Sequence, residues 1–232
     1  ISAMLVNSEG PKDHKFAQMC ANELAEGNSF FMYMSESADS LASCCRLRNE
    51  IADNTFSYSL GAGGVATGSI NVITINMNRV TQRNMDLLEM VEKVQKYQVA
   101  YRALMQEYFE AHLLTAYSGG FIALDKQYLT IGINGMVEAA EFKGLKATNN
   151  KEYIQFVRDH LKIIFDCNKK AKSKYGFMFN TEFVPAENLG VKNSTWDQKD
   201  NLAVHRDCYN SYFYAVDDDS VNALDKMALH GK

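Results

Sequence analysis

The chain has 232 residues, 47% of them hydrophobic and 22% charged, with a net charge of −4 at neutral pH. That allows one sizeable core, gives the balance of an ordinary globular protein, and argues against a general nucleic-acid binder. No apolar run is long enough to span a membrane, and the opening "ISAMLVNSEGPKDHK" lacks the basic and apolar regions of a secretion signal.

Five cysteines, none spaced as C-x-x-C, imply neither a disulfide framework nor a zinc ribbon. A reducing, cytoplasmic compartment is expected. The chain begins with Ile1 and stops at "DKMALHGK" just as a helical pattern meets a glycine. That suggests a piece of a longer or split polypeptide.

"HKFAQMCANELAEG" (14–27) reads as an amphipathic helix closed by Gly27, and "SFFMYMSE" (29–36) as an aromatic-rich strand. The adjacent Cys44 and Cys45 follow, then a long irregular stretch with "GAGG" at 61–64. "SINVITINMNRV" (69–80) predicts a strand whose Ile70, Val72 and Thr74 alternate toward a core. One long helix is expected from Asp86 to about Tyr117, with its Met, Leu and Tyr stripe in the core. "YLTIGINGMVEAAEFKG" (128–144) is a strand breaking at Gly132 and Gly135 into a helix turn. A helix over 151–176 closes at Gly176, and "FMFNTEFVPAENLG" (177–190) runs from a strand through a turn into a new helix. Within the helix over 151–176, "NKKAKSK" (168–174) reads as a solvated face rather than a nucleic-acid patch. This rhythm of strands and helices is that of an α/β layer with parallel crossovers, and residues 1–232 read as a single segment without internal repeat or linker.

Three places can carry chemistry. Cys44 and Cys45 sit before Arg46 and Arg48, cations that favour thiolate character in an exposed neighbour; a pair of semi-buried structural thiols is the alternative. Asn71 is polar where a buried strand wants an apolar residue, so it either bonds nearby backbone or meets a specific partner. Pro185 presets the first turn of a helix with Glu187 and Asn188 at its start. Free N–H groups there suit a phosphate; an ordinary N-terminal glutamate at 187 is the alternative.

Taken together, "SCCR", "GSINVITINMNRV", "NGMVEAAEFKG", "FVPAENLG" and "DKMALHGK", in that order, resemble the anaerobic (class III) ribonucleoside-triphosphate reductases, over essentially the whole chain. The resemblance implies part of a ten-stranded α/β barrel of the glycyl-radical enzyme type, with the radical cysteine on an inner loop. In that family the thiyl-forming cysteine directly precedes an arginine, which points to Cys45, with Cys44 as its neighbour. Asn71 corresponds to the asparagine near the ribose and the formate reductant. Ser69 and the segment Pro185, Ala186, Glu187 and Asn188 are expected against the substrate, with Cys45, Asn71 and Glu187 as the catalytic set.

The resemblance further implies a glycyl radical made by an iron–sulfur and S-adenosylmethionine activase, a structural zinc elsewhere, a nucleoside triphosphate substrate and a homodimer. The R-x-x-G-Y type radical motif, the zinc cysteines, the N-terminal barrel part with its second cysteine and the effector region are not found in these residues. No metal or cofactor is expected on this segment, nor turnover by it alone. A formate-lyase-like glycyl-radical enzyme is the nearest rival, disfavoured by Arg46 and "PAEN". A non-catalytic α/β binding module is the rival from another class, separable by nucleoside triphosphate binding.

Overall fold

The computed structural model describes residues 2–28, 30–34, 40–42, 48–50, 68–183, 187–216 and 218–232, with backbone alone for 2–5, 30–34, 40–42, 48–50 and 187. Cys44, Cys45, Pro185 and Ala186 lie outside the described residues. The chain divides into two compact units, Ile1–Gly68 and Ser69–Lys232.

In the first unit, strand β1 (Ser2–Val6), helix α1 (His14–Ala25) and strand β2 (Phe30–Met34) make a crossover unit, β1 and β2 running parallel with Ser2 opposite Phe30. Asp13 caps α1 by accepting from the Phe16 amide, and Gly27 takes positive φ just past its end. The short strands β3 (Ser40–Ala42) and β4 (Arg48–Glu50) pair antiparallel. Strand β1 was not expected from the sequence, and β4 falls within the stretch read as irregular.

The second unit is built on three strands in the order β5 (Gly68–Asn76), β6 (Gln127–Asn134) and β7 (Met178–Glu182), with β6 and β7 parallel. The expected strand over 69–80 stops at Asn76, because the Asn76 side chain accepts from the Arg79 amide and caps helix α2 (Met77–Gln82). The expected helix over 86–117 is two: α3 (Leu87–Glu110), capped by Asp86, and α4 (Thr115–Ser118), separated by a turn in which His112 has positive φ. Leu87, Val91 and Val94 of α3 enter the core as expected, whereas Tyr97, Tyr101 and Tyr108 lie exposed on another stripe of the helix. Gly135 has a φ of 76° and turns β6 into helix α5 (Met136–Phe142); a side chain there would meet Tyr209 and Asn76. Helix α6 (Lys151–Tyr175) runs from an Asn150 cap to Gly176, as the sequence indicates. Helices α7 (Glu187–Lys199) and α8 (Ala223–His230) complete the unit.

The core lies between one side of the sheet and the helices. Ile73 and Ile75 of β5 and Ile131 and Ile133 of β6 pack with Val91, Val94, Tyr153, Val157 and Ile164. The inward residues of β5 are therefore Ile73 and Ile75, while Val72 is exposed. Apolar residues stand on both parities of this strand, and packing against the helices selects Ile73 and Ile75. Ser69 bonds the Thr130 hydroxyl, and Thr74 lies where a side chain at Gly132 would be.

Candidate active site

The side of the sheet turned away from α3 and α6 is polar. Ser69 on β5, Thr130 on β6 and Asn180 on β7 form a row across the three strands, Thr130 and Asn180 being register partners. Asn180 continues along its own strand to Glu182, donating from Nδ2 to Oε1 at 2.9 Å. Glu182 stands opposite Gly132, whose missing side chain leaves room for Thr74: a Cβ there would lie 2.3 Å from Thr74 Oγ1. Burial raises the Glu182 carboxyl above its ordinary range, and the Asn180 amide pulls it the other way.

Asn71 carries the open valence of this region. Its Oδ1 is buried and has no hydrogen-bond partner among the described residues. A buried oxygen without a donor costs about 1–3 kcal/mol, and Gln98 Oε1 and Glu138 Oε2 share that state among the described residues. The neighbouring asparagines are fully committed by contrast: Asn76 caps α2 and donates to Asp197, and Asn78 donates to Asp197 and to the Ala203 carbonyl.

Helix α7 is fixed beneath the ends of β5 and β6 by buried polar residues. Asn193 donates to Asn134 Oδ1 at 2.8 Å, tying the helix to the last residue of β6. Asp197, fully buried, accepts from Asn76, Asn78, Tyr209 and Arg79, the Arg79 Nε contact being 2.7 Å. A buried carboxylate needs such a set of donors to be tolerated. Burial, with Asp197 as acceptor, pushes the Tyr209 phenol well above its ordinary range. A second cluster holds the loop that follows α7: Arg206 bridges buried Glu138 and Glu141 of α5, and Glu138 also accepts from the Asn210 backbone and side chain. Burial opposes the Arg206 charge, but the bonds to Glu141 and Glu138 outweigh it and raise the guanidinium.

These bonds hold the later turns of α7. Glu187 is its first residue and Asn188, in its first turn, is exposed. Of the residues the sequence singled out, Ser69 and Asn71 are brought to the same strand end, and Glu187 and Asn188 to the start of α7. Thr130, Asn180, Glu182 and Gly132 were missed. Their signal was present: Thr130 and Gly132 alternate with Leu129, Ile131 and Ile133, and Asn180 and Glu182 share one parity of β7.

Among the described residues no group of His, Cys, Asp and Glu could hold a metal ion, and no helix is long and apolar enough to cross a membrane.

A three-stranded α/β sheet that is apolar toward its helices and polar on the other side, with a helix pinned at its strand ends, defines the class. The anaerobic ribonucleoside-triphosphate reductase family model matches residues 3–232, and the chain belongs to that family. Among solved structures it is similar to the anaerobic ribonucleotide reductase from Thermotoga maritima in complex with dATP and CTP, at 25% identity and a TM-score of 0.78, covering 100% of this chain and 40% of that one. The same enzyme with glycerol in the active site matches at 25% identity and a TM-score of 0.78, over 100% of this chain and 39% of that chain. The form with citrate in the active site, 24% identical with a TM-score of 0.77, shares the fold over 99% of this chain and 44% of the other. The chain thus spans less than half the length of these solved relatives. No curated protein matches it.

Proposed function

We propose that this chain supplies the central part of the catalytic domain of an anaerobic ribonucleotide reductase, converting ribonucleoside triphosphates to deoxyribonucleoside triphosphates with formate as reductant. The observation that carries the reading is the family match over residues 3–232. In this reading the three strands belong to a ten-stranded barrel completed by the rest of the enzyme, and residues 1–232 form one segment of it. Cys45, on an inner loop, carries the thiyl radical and takes the ribose 3′ hydrogen atom, forming its S–H bond and leaving a carbon radical. Cys44 packs beside it. Asn71 turns its unpartnered Oδ1 to the ribose and formate, and Ser69 lies next to it against the substrate. Pro185, Ala186, Glu187 and Asn188 lie along the nucleotide, with the phosphates at the amides that open α7. Glu187 meets a substrate group there.

The glycyl radical, its iron–sulfur and S-adenosylmethionine activase, a structural zinc and the partner of a homodimer belong to the remainder of a cytoplasmic, allosterically regulated enzyme. The test is made in the assembled reductase that contains this chain. Cys45→Ser should abolish deoxynucleotide formation while the glycyl radical signal forms normally, because an O–H bond is too strong to exchange hydrogen reversibly. Cys44→Ser should cost far less. Activity that survives in the Cys45 variant and is lost in the Cys44 variant overturns the assignment.

A further inference from the structure

The polar row Ser69–Thr130–Asn180–Glu182 has a direction. Ser69 Oγ and Thr130 Oγ1 are 2.5 Å apart, Thr130 Oγ1 donates to Asn180 Oδ1 at 2.6 Å, and Asn180 Nδ2 donates to Glu182 Oε1 at 2.9 Å. A hydroxyl has one hydrogen. That of Thr130 is spent on Asn180, so the bond to Ser69 takes its hydrogen from Ser69. Every donor in the row points toward Glu182, which accepts.

The reverse order is equally self-consistent. A protonated Glu182 donates to Asn180, whose amide turns over and donates to Thr130; Thr130 then donates to Ser69, and the Ser69 hydrogen is released to an outside acceptor. With the proton on Oε1, mixed orders are not, because Thr130 is fully buried and a mismatch would set two hydrogens or two lone pairs face to face. The proton enters from solvent at Glu182, each hydroxyl keeps its own hydrogen and only rotates, and no charge travels along the row.

We infer that this row is a two-state hydrogen-bond wire whose direction follows the protonation of Glu182, and that Glu182 is thereby a positioning residue deciding whether the Ser69 hydroxyl accepts from, or donates to, a substrate group. The last clause rests on the reading of Ser69 as facing substrate; the wire itself does not. Charge near Glu182 is sparse. Strand β5 has no ionisable side chain, β6 has only Tyr128, which is the register partner of Met178, and among the described residues Glu182 makes no ion pair. Burial raises its carboxyl, and the Asn180 bond pulls it the other way.

The wire is tested by following the Glu182 carboxyl carbon by NMR across pH in this chain, without nucleotide, in wild type, Ser69→Ala, Thr130→Ser, Thr130→Val and the Ser69→Ala/Thr130→Val double variant. Ser69 is two side chains removed from Glu182. Without it the forward order loses only a donor onto a Thr130 lone pair, whereas the reverse order strands a buried Thr130 hydrogen. Ser69→Ala should therefore lower the Glu182 midpoint, by about one pH unit. Thr130→Ser keeps the hydroxyl and should titrate as wild type. In the Thr130→Val background, adding Ser69→Ala should shift nothing further. An unchanged or raised midpoint in Ser69→Ala, or an undiminished shift once Thr130→Val has cut the row, overturns the wire. Neither substrate nor turnover enters this measurement, so its failure is distinct from failure of the Cys45 experiment.

Discussion

The two sides of the β5–β6–β7 sheet are held by different physics. Toward α3 and α6, Ile73, Ile75, Ile131 and Ile133 are fixed by volume: many neighbours share each contact, and any well-packed apolar set serves. On the other side, Ser69, Thr130, Asn180 and Glu182 are fixed by hydrogen count, one donor to one acceptor. The difference teaches where tolerance ends. A methyl lost from the first side weakens the fold by degrees, whereas a hydrogen lost from the second changes what every later member of the row must do.

Substitutions sharpen this contrast. The largest effect is expected at Ile131, fully buried among the helices. Ile131→Ala should lower unfolding free energy by about 2–5 kcal/mol, read from denaturant midpoints at unchanged m, and a loss within error of zero would deny that this side is the core. Gly132→Ala, the next residue, tests the polar side by volume instead. Its Cβ would sit 2.3 Å from Thr74 Oγ1 and 3.2 Å from Thr74 Cα, so β5 itself must move. A loss of about 1–3 kcal/mol is expected, partly restored by adding Thr74→Ala; full tolerance would mean the close approach is not maintained.

The smallest effect is a slope. A raised Glu182 pKa means that the folded chain holds its proton longer than the unfolded chain, whose glutamates titrate near about 4.3. That contribution is fully present below the unfolded pKa and is lost as pH rises through the folded one. Wild type should therefore lose stability relative to Glu182→Gln across that window. Denaturation at several pH values checks the sign, and a wild type that gains on the variant as pH rises contradicts it.

Much of the fold is legible from local rules. Asn150 and Gly176 bracket α6, and Asp86 starts α3, because caps are local. Gly135 announces the corner between β6 and α5 for the same reason, whereas the break expected at Gly132 does not occur and β6 runs on to Asn134. What is not legible is what depends on partners. The alternation of Ile70, Val72 and Thr74 looks regular in sequence, and only packing against the helices shows that Ile73 and Ile75 face the core. The tyrosines of α3 read as core because period alone does not say how wide the covered stripe is. Asn71 announces itself by polarity in an apolar run, and its Oδ1 is buried without a partner among the described residues. Glu182 has no such signal, since a glutamate at a strand end is commonplace.

The anchoring of α7 also sets an order in time. Asn76, Asn78 and Arg79 lie 121, 119 and 118 residues before the Asp197 that gathers them, and Tyr209 follows it by 12. On the ribosome the first three wait, solvated, through the making of two long helices and two strands. The set of donors around Asp197 is complete only when Tyr209 has emerged. A nascent chain stalled there also lacks Ala215 and Leu229 of the core, so the last stretch of the chain closes both the core and the seat of α7.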